Sequence, residues 1–286
     1  MLRQIRHYIT LTKPSIMLLV ILTGSTALFM EKSLVHRPLD FFLVLLGLYL
    51  TGGAANALNQ YFEREIDAKM QRTSKKRPLP QHKLEARQAL IFSLGIATMG
   101  VLLFGFYFNW LSAALSLGTI LFYSLFYTLW LKPNTHQNIV IGGAAGAMGP
   151  IIAWVAATGT LSMTPWILFL IIFFWTPPHF WALALCVKDD YQRANLPMLP
   201  VVKGDKETLK QIYYYTLVMV AVSLSLLLIQ FSWIYFIAAT VLGIIFIQKA
   251  FVMRLHATLK QEWALFGYSI VYLLALFCVL IVDSLV

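Results

Sequence analysis

Nine apolar runs, each long enough to cross a bilayer, divide the chain, and its polar residues fall mostly between them. The runs cover 15–31, 39–60, 88–108, 111–131, 138–157, 164–187, 211–230, 233–250 and 264–282. A helix needs about 20 mostly apolar residues to span a membrane. The longest gaps between runs are about 25–30 residues, too short for a soluble domain. The pattern predicts an all-α polytopic membrane protein of about nine transmembrane helices, with residues 1–286 forming one membrane domain.

Charge sets the orientation. If the N-terminus is cytoplasmic, nine spans place every one of the 22 Lys and Arg on that side except Lys32 and Arg37. Basic loops stay on the cytoplasmic side, so this split supports both the count and the orientation. An even number of spans would scatter the bases over both faces. The formal net charge of +10 would suit nucleic acid, but topology accounts for it and no nucleic-acid partner is expected. Composition agrees: 59% of residues are hydrophobic and 12% charged, against roughly 25% charged in a soluble domain. Cys186 and Cys278 lie inside apolar runs without zinc-ligand spacing, which excludes a disulfide framework or a structural metal. Arg3 and Arg6 before an apolar run resemble a signal peptide, but Lys13-Pro14 reads as an interfacial approach to a first span that is retained.

The polar stretch AANALNQYFEREIDAKMQRTSKKRPLP, Ala54 to Pro80, carries the first candidate chemistry. Asn59, Glu63 and Asp67 recur every four residues, so each is turned only about 40° from the last and all three share a face. Arg72, Lys75, Lys76 and Arg77 follow closely. Mg²⁺ takes few protein carboxylates and completes its octahedron with phosphate oxygens and water. The acids are therefore candidates to hold Mg²⁺ and the bases to hold phosphate: a diphosphate site at a membrane surface. Glu65 points away and is expected to be solvated.

A second cluster runs from Phe173 to Asp205. His179 sits in an apolar segment interrupted by Pro177-Pro178, and a histidine inside a span is a functional candidate by default. It could equally be a neutral imidazole bonded to a carbonyl that the prolines free. Asp190, eleven residues on, would share its face about 16 Å away. Asp190, with Asp189 beside it, is a candidate second acidic site, although both could be solvated loop charges. Lys132, alone in its loop, is placed to meet a phosphate. Gly142, Gly143, Gly146 and Gly149 do not form a phosphate loop, since no strand precedes and no Gly-Lys-Ser/Thr follows. Their spacing suits close helix packing, or room for a flat substrate.

These stretches together resemble the UbiA superfamily of membrane prenyltransferases, and within it the members that farnesylate haem. The resemblance covers nearly the whole chain. It rests on LTKP at 11–14, NQYFEREIDAKMQRT at 59–73, RPLP at 77–80, QNIVIGGAAGAMGP at 137–150, PPHFWALAL at 177–185 and DYQRANLPMLPVVKG at 190–204. The acidic block alone would indicate only the superfamily; the last three blocks point to haem as acceptor. Many superfamily members carry Asp where Glu63 stands, and Gly149 and Asn195 also depart from the pattern, without removing a charge from the site.

The resemblance implies a UbiA-type bundle that transfers the farnesyl group of farnesyl diphosphate to the 2-vinyl group of haem B. Water adds as the bond forms, and the products are haem O and diphosphate. It implies Mg²⁺ on Asn59, Glu63 and Asp67, a second acidic site at Asp190 or Asp189, and phosphate contacts from Arg72, Arg77 and Lys132. His179 would contact haem, at iron or at a propionate. The expected setting is the bacterial cytoplasmic membrane, with membrane lipid around the bundle and the active site on the cytoplasmic side. Two rivals differ in testable ways. A sibling prenyltransferase would act on a quinone precursor or chlorophyllide; a secondary transporter would place its charges near the bilayer midplane, whereas here they sit at one edge.

Overall fold

The computed structural model describes residues 2–286, with side chains from Gln4 onward. It is helical, with no strand among the described residues. Nine helices among them are long and apolar enough to cross a membrane. Spans 1 to 5 are Pro14–Glu31, Pro38–Phe62, Ala86–Phe108, Trp110–Asn134 and Asn138–Thr158. Spans 6 to 9 are Met163–Cys186, Gly204–Leu228, Trp233–Leu255 and Leu259–Leu285.

Most boundaries agree with the apolar runs to within a few residues. Span 7 is the exception, because it begins at Gly204 rather than 211. Its first turn carries Asp205 and Glu207, acids that stabilise a helix N-terminus while hiding it from a hydropathy reading. Span 6 also departs from expectation. It runs unbroken through Pro177 and Pro178 rather than being interrupted there.

Successive spans pack side by side, and span 9 returns to span 1 to close the ring. There the Thr26 hydroxyl donates to the Phe277 carbonyl at 3.3 Å. Span 6 is the innermost, with 67% of its central window buried against 28% for spans 3, 4 and 8. Span 5 bends at Met148, where one helix ends at Ala147 and the next starts at Gly149 with Pro150 behind it.

Two stretches wind more loosely than an α-helix, Phe104–Phe108 in span 3 and Phe122–Leu131 in span 4. The second matters most for the site, since such π-helical insertions re-aim the residues after them.

The two ends of the bundle differ. At the end away from the basic loops, Asp40 takes Arg37 at 2.6 Å and the Tyr107 hydroxyl at 2.7 Å, and Ser232 donates to Asp283. At the basic end an N-terminal helix, Leu2–Leu11, is pinned to span 2. The Gln60 amide donates to the Leu11 carbonyl at 2.9 Å and the Asn56 amide to that of Thr12 at 3.4 Å. These bonds fill carbonyls that the helix end leaves unpaired.

Candidate active site

Span 2 ends at Phe62, and the helix resumes at Arg64–Lys69 after a bend at Glu63. The four-residue register survives. The Glu63 N–H donates to the Asn59 carbonyl at 2.9 Å and the Asp67 N–H to that of Glu63 at 2.8 Å. Asn59, Glu63 and Asp67 thus keep a common side, and each is at most 2% exposed. Two carboxylates so deeply buried need partners.

The chain itself returns them. The Thr73 hydroxyl donates to the Asp67 carbonyl at 2.8 Å, and the Arg77 N–H to the Thr73 carbonyl at 2.9 Å. This folds Arg77 back over the acids. Its guanidinium donates to Asp67 and lies 3.4 Å from Glu63, while Lys132 at the end of span 4 donates to the other Glu63 oxygen. Burial alone would push the Glu63 carboxyl up, but Lys132 and Arg77 outweigh it and hold the group below the usual carboxylate range. At Asp67 burial prevails over Arg77, and the carboxyl is held above its usual range.

Lys13 completes the cluster. Its backbone turns into the left-handed region at φ 52°, and its ammonium donates to the Asn59 amide oxygen at 3.1 Å. Burial, aided by the charge on Arg77, pulls Lys13 down to about 7. The Asn59 amide nitrogen donates to the Thr128 hydroxyl at 3.1 Å, and Thr128 in turn donates to the Tyr123 carbonyl at 2.8 Å, five residues back in the π-helical stretch. Tyr123 stacks on Tyr127 with centroids 5.2 Å apart. Tyr127 lies so close to Gly142 that a Cβ there would meet its ring at 2.3 Å. Gly142 is small so that Tyr127 can fit.

Three cations against two acids leave an excess of positive charge that suits an anion. The oxygens of Asn59, Glu63 and Asp67 are hard donors that fit Mg²⁺. No group of three His, Cys, Asp or Glu gathers elsewhere among the described residues. A metal held here would draw its remaining ligands from substrate and water. Cavity size does not mark the place. The largest cleft, about 630 Å³, lies between the N-terminal helix and spans 2 and 3, and none of the three lines it.

Several candidates sit differently from the sequence reading. Arg72 is exposed at its side chain and contributes only its backbone N–H. Asp190 does not join the acids or share a helix face with His179. Span 6 stops at Cys186, and Asp190 lies on a separate short helix, Lys188–Arg193. Its two oxygens accept from the Gln71 and Arg72 N–H groups at 3.2 and 3.0 Å, and Arg193 adds a bond at 2.5 Å. Burial pushes its carboxyl up, but these donors outweigh it and hold the group below the usual range. Asp190 thus anchors the loop that carries Arg77 back. Asp189 is exposed and makes none of these contacts.

His179 is buried between the rings of Trp175 and Phe266, stacked at 4.3 and 4.7 Å. It bonds to the Ser269 hydroxyl at 2.7 Å, not to a carbonyl freed by the prolines. Lys13 and Thr128 are site residues the sequence reading did not single out. The LTKP block held a hint of Lys13; nothing in the sequence marked Thr128.

Residues 17–280 match the UbiA prenyltransferase family. The chain belongs to that family. It is 46% identical to the protoheme IX farnesyltransferase of Picosynechococcus sp., over 98% of this chain and 89% of the relative. It is 44% identical to that of Bartonella henselae, over 96% and 89%. Solved UbiA structures share the fold. A digeranylgeranylglyceryl phosphate synthase superposes with a TM-score of 0.80 at 20% identity over 99% of both chains. A UbiA homolog from Archaeoglobus fulgidus bound to DMAPP and Mg²⁺ gives 0.62 at 15% identity, over 96% of this chain and 98% of that one. Membership makes the chain a prenyltransferase, and the transporter alternative finds no support.

Proposed function

We propose that this UbiA-family enzyme transfers the farnesyl group of farnesyl diphosphate to the 2-vinyl group of haem B, with hydration, releasing diphosphate and haem O. The observation that carries this reading is nearly full-length identity of 44–46% to protoheme IX farnesyltransferases. The buried acid–base cluster supplies a place for the chemistry. The basic end faces the cytoplasm of a bacterium, and 1–286 act as one membrane domain.

Asn59, Glu63 and Asp67 would hold Mg²⁺. When bound, the metal neutralises charge growing on the departing diphosphate. The chain's own bases do the rest of the electrostatic work. Arg77 and Lys132, now paired with Asp67 and Glu63, exchange carboxylate oxygens for phosphate oxygens, and Lys13 adds a third ammonium at Asn59. Donors fixed in a buried site stabilise the ionising bond more than they would in water. The same burial keeps water from the allylic carbon until the vinyl carbon is in place. Asp190 fixes the Gln71–Ser74 turn that presents Arg77. Haem lies toward spans 5 and 6, where a Cβ on Gly146 would meet nothing within 4 Å, and His179 contacts it.

The test is full-length protein in detergent with farnesyl diphosphate, Mg²⁺ and either haem B, a quinone precursor or chlorophyllide, with products read by mass. A hydroxyethylfarnesyl product from haem B alone is expected. Turnover of another acceptor with haem B inert would overturn the assignment.

A further inference from the structure

Building on the haem reading, we infer that His179 is an axial ligand of the haem iron through Nε2, and that Ser269 sets the tautomer that makes this possible. The argument starts at Ser269. A serine hydroxyl has one hydrogen, and here it is directed to the Phe266 carbonyl one turn back, at 2.6 Å. The same oxygen lies 2.7 Å from His179 Nδ1. With its hydrogen committed, Ser269 can only accept, so the proton between them belongs to Nδ1. A neutral imidazole protonated at Nδ1 carries a bare lone pair at Nε2.

That lone pair has no protein partner among the described residues. The ring faces are covered by Trp175 and Phe266, and the Nδ1 edge by Ser269. The residue's remaining 9% exposure is therefore left to the edge bearing Nε2. Phe180 stands edge-on to the imidazole at 5.2 Å and is itself exposed, an apolar wall beside the same opening.

Span 9 is held in register by a second bond, from the Trp175 indole N–H to the Ser269 carbonyl at 2.7 Å. Trp175 and His179 both lie on span 6, one turn apart. Two residues of span 6 thus grip one residue of span 9, and the imidazole cannot rotate without breaking the stack. An imidazole whose other nitrogen donates to an oxygen is the usual form of a metal-ligating histidine. A bare Nε2 cannot donate to a propionate, which separates the two contacts left open by the sequence. Iron is the partner it fits, with the porphyrin plane crossing the ring edge.

The experiment uses full-length protein without a polyhistidine tag, titrated in detergent with haem B and, separately, with iron-free protoporphyrin IX. Wild type should bind haem B with the optical and electron-paramagnetic signature of imidazole ligation. His179→Phe keeps the aromatic sandwich and deletes the lone pair. It should lose that signature while its affinity for protoporphyrin IX stays within about twofold of wild type. Ser269→Ala should weaken haem B binding by about 10-fold and leave protoporphyrin IX binding unchanged. His179→Ala should regain the signature when free imidazole is added.

Imidazole ligation that persists in His179→Phe, or haem B bound to wild type without it, would overturn the inference and leave the farnesyl-transfer reading standing. Equal losses for both porphyrins would do the same, by moving the contact off the iron. Failure of wild type to bind haem B at all would remove both.

Discussion

Arg77 and Asp67 are joined across ten residues of chain, the guanidinium donating to the carboxylate while the same nitrogen stays 3.4 Å from Glu63. The base assigned to phosphate and the acid assigned to metal therefore neutralise each other. Substrate and metal must part them together, and neither is expected to act well alone. Activity should require a divalent cation and disappear in excess chelator. Asp67→Asn should lower kcat/KM by about 100-fold or more, measured beside thermal stability, because Asp67 is packed rather than loose at the helix end. Full turnover in chelator, or in the variant, would remove the metal assignment.

Glu63 serves two cations, Lys132 and Arg77. Glu63→Asp keeps the charge on an arm shorter by about 1.5 Å and should retain measurable activity. Glu63→Gln leaves Lys132 without its anion and should retain very little. Equal activities for the two variants, in the mass-based farnesylation assay, would show that charge is not what Glu63 supplies.

Gly142→Ala would drive a methyl into the Tyr127 ring, which is itself stacked on Tyr123. The expected cost is about 1–3 kcal/mol from overpacking. Activity should fall as well, because Thr128 follows Tyr127 and holds Asn59. A variant with wild-type thermal stability would mean that the ring moves freely.

Asp190→Asn keeps size and removes the charge that two backbone N–H groups and Arg193 address. The expected loss is about 1–3 kcal/mol. The folded carboxyl is held below its unfolded value of about 3.9. Its contribution is therefore complete above that value and is lost as pH falls through the lower, folded one. Unfolding curves of wild type and variant should stay apart from pH 5 to 7 and converge only in strong acid. Convergence near neutrality would contradict this.

Orientation can be read with impermeant thiol labels, after replacing Cys186 and Cys278, which are both free. Cysteines at Lys75 and Lys206, exposed at the basic end, should react only from the cytoplasmic side, and one at His36 only from outside. His36 is a better probe than Arg37, which is held by Asp40. Labelling at Lys75 from outside would invert the protein.

The spans were legible because a bilayer demands a fixed length of apolar helix, and nine runs met it. The Asn59, Glu63 and Asp67 stripe was legible because four-residue spacing survives even the bend at Glu63. What lay hidden was whatever depends on chain returning from a distance. Lys13 reaches Asn59 from 46 residues away, and only after a left-handed turn. Asp190 looked like a metal ligand because a carboxylate carries no mark of whether backbone N–H groups 118 and 119 residues away will claim it. Ser269 sits 90 residues from His179 on an otherwise apolar span. Arg72 and Arg77 look alike in sequence; only the return turn at Thr73 separates them.

The loosened winding of Phe122–Leu131 makes span 4 sensitive to counting rather than to chemistry. Point substitutions leave its number of residues intact, so most should preserve the winding. Deleting one residue from that stretch would let it tighten to an ordinary α-helix and would turn everything beyond it by about 100°. Lys132 would then leave Glu63, although every side chain of the cluster was still present in the chain. A deletion scan of span 4 should therefore read as a frame, silent in composition and decisive in phase.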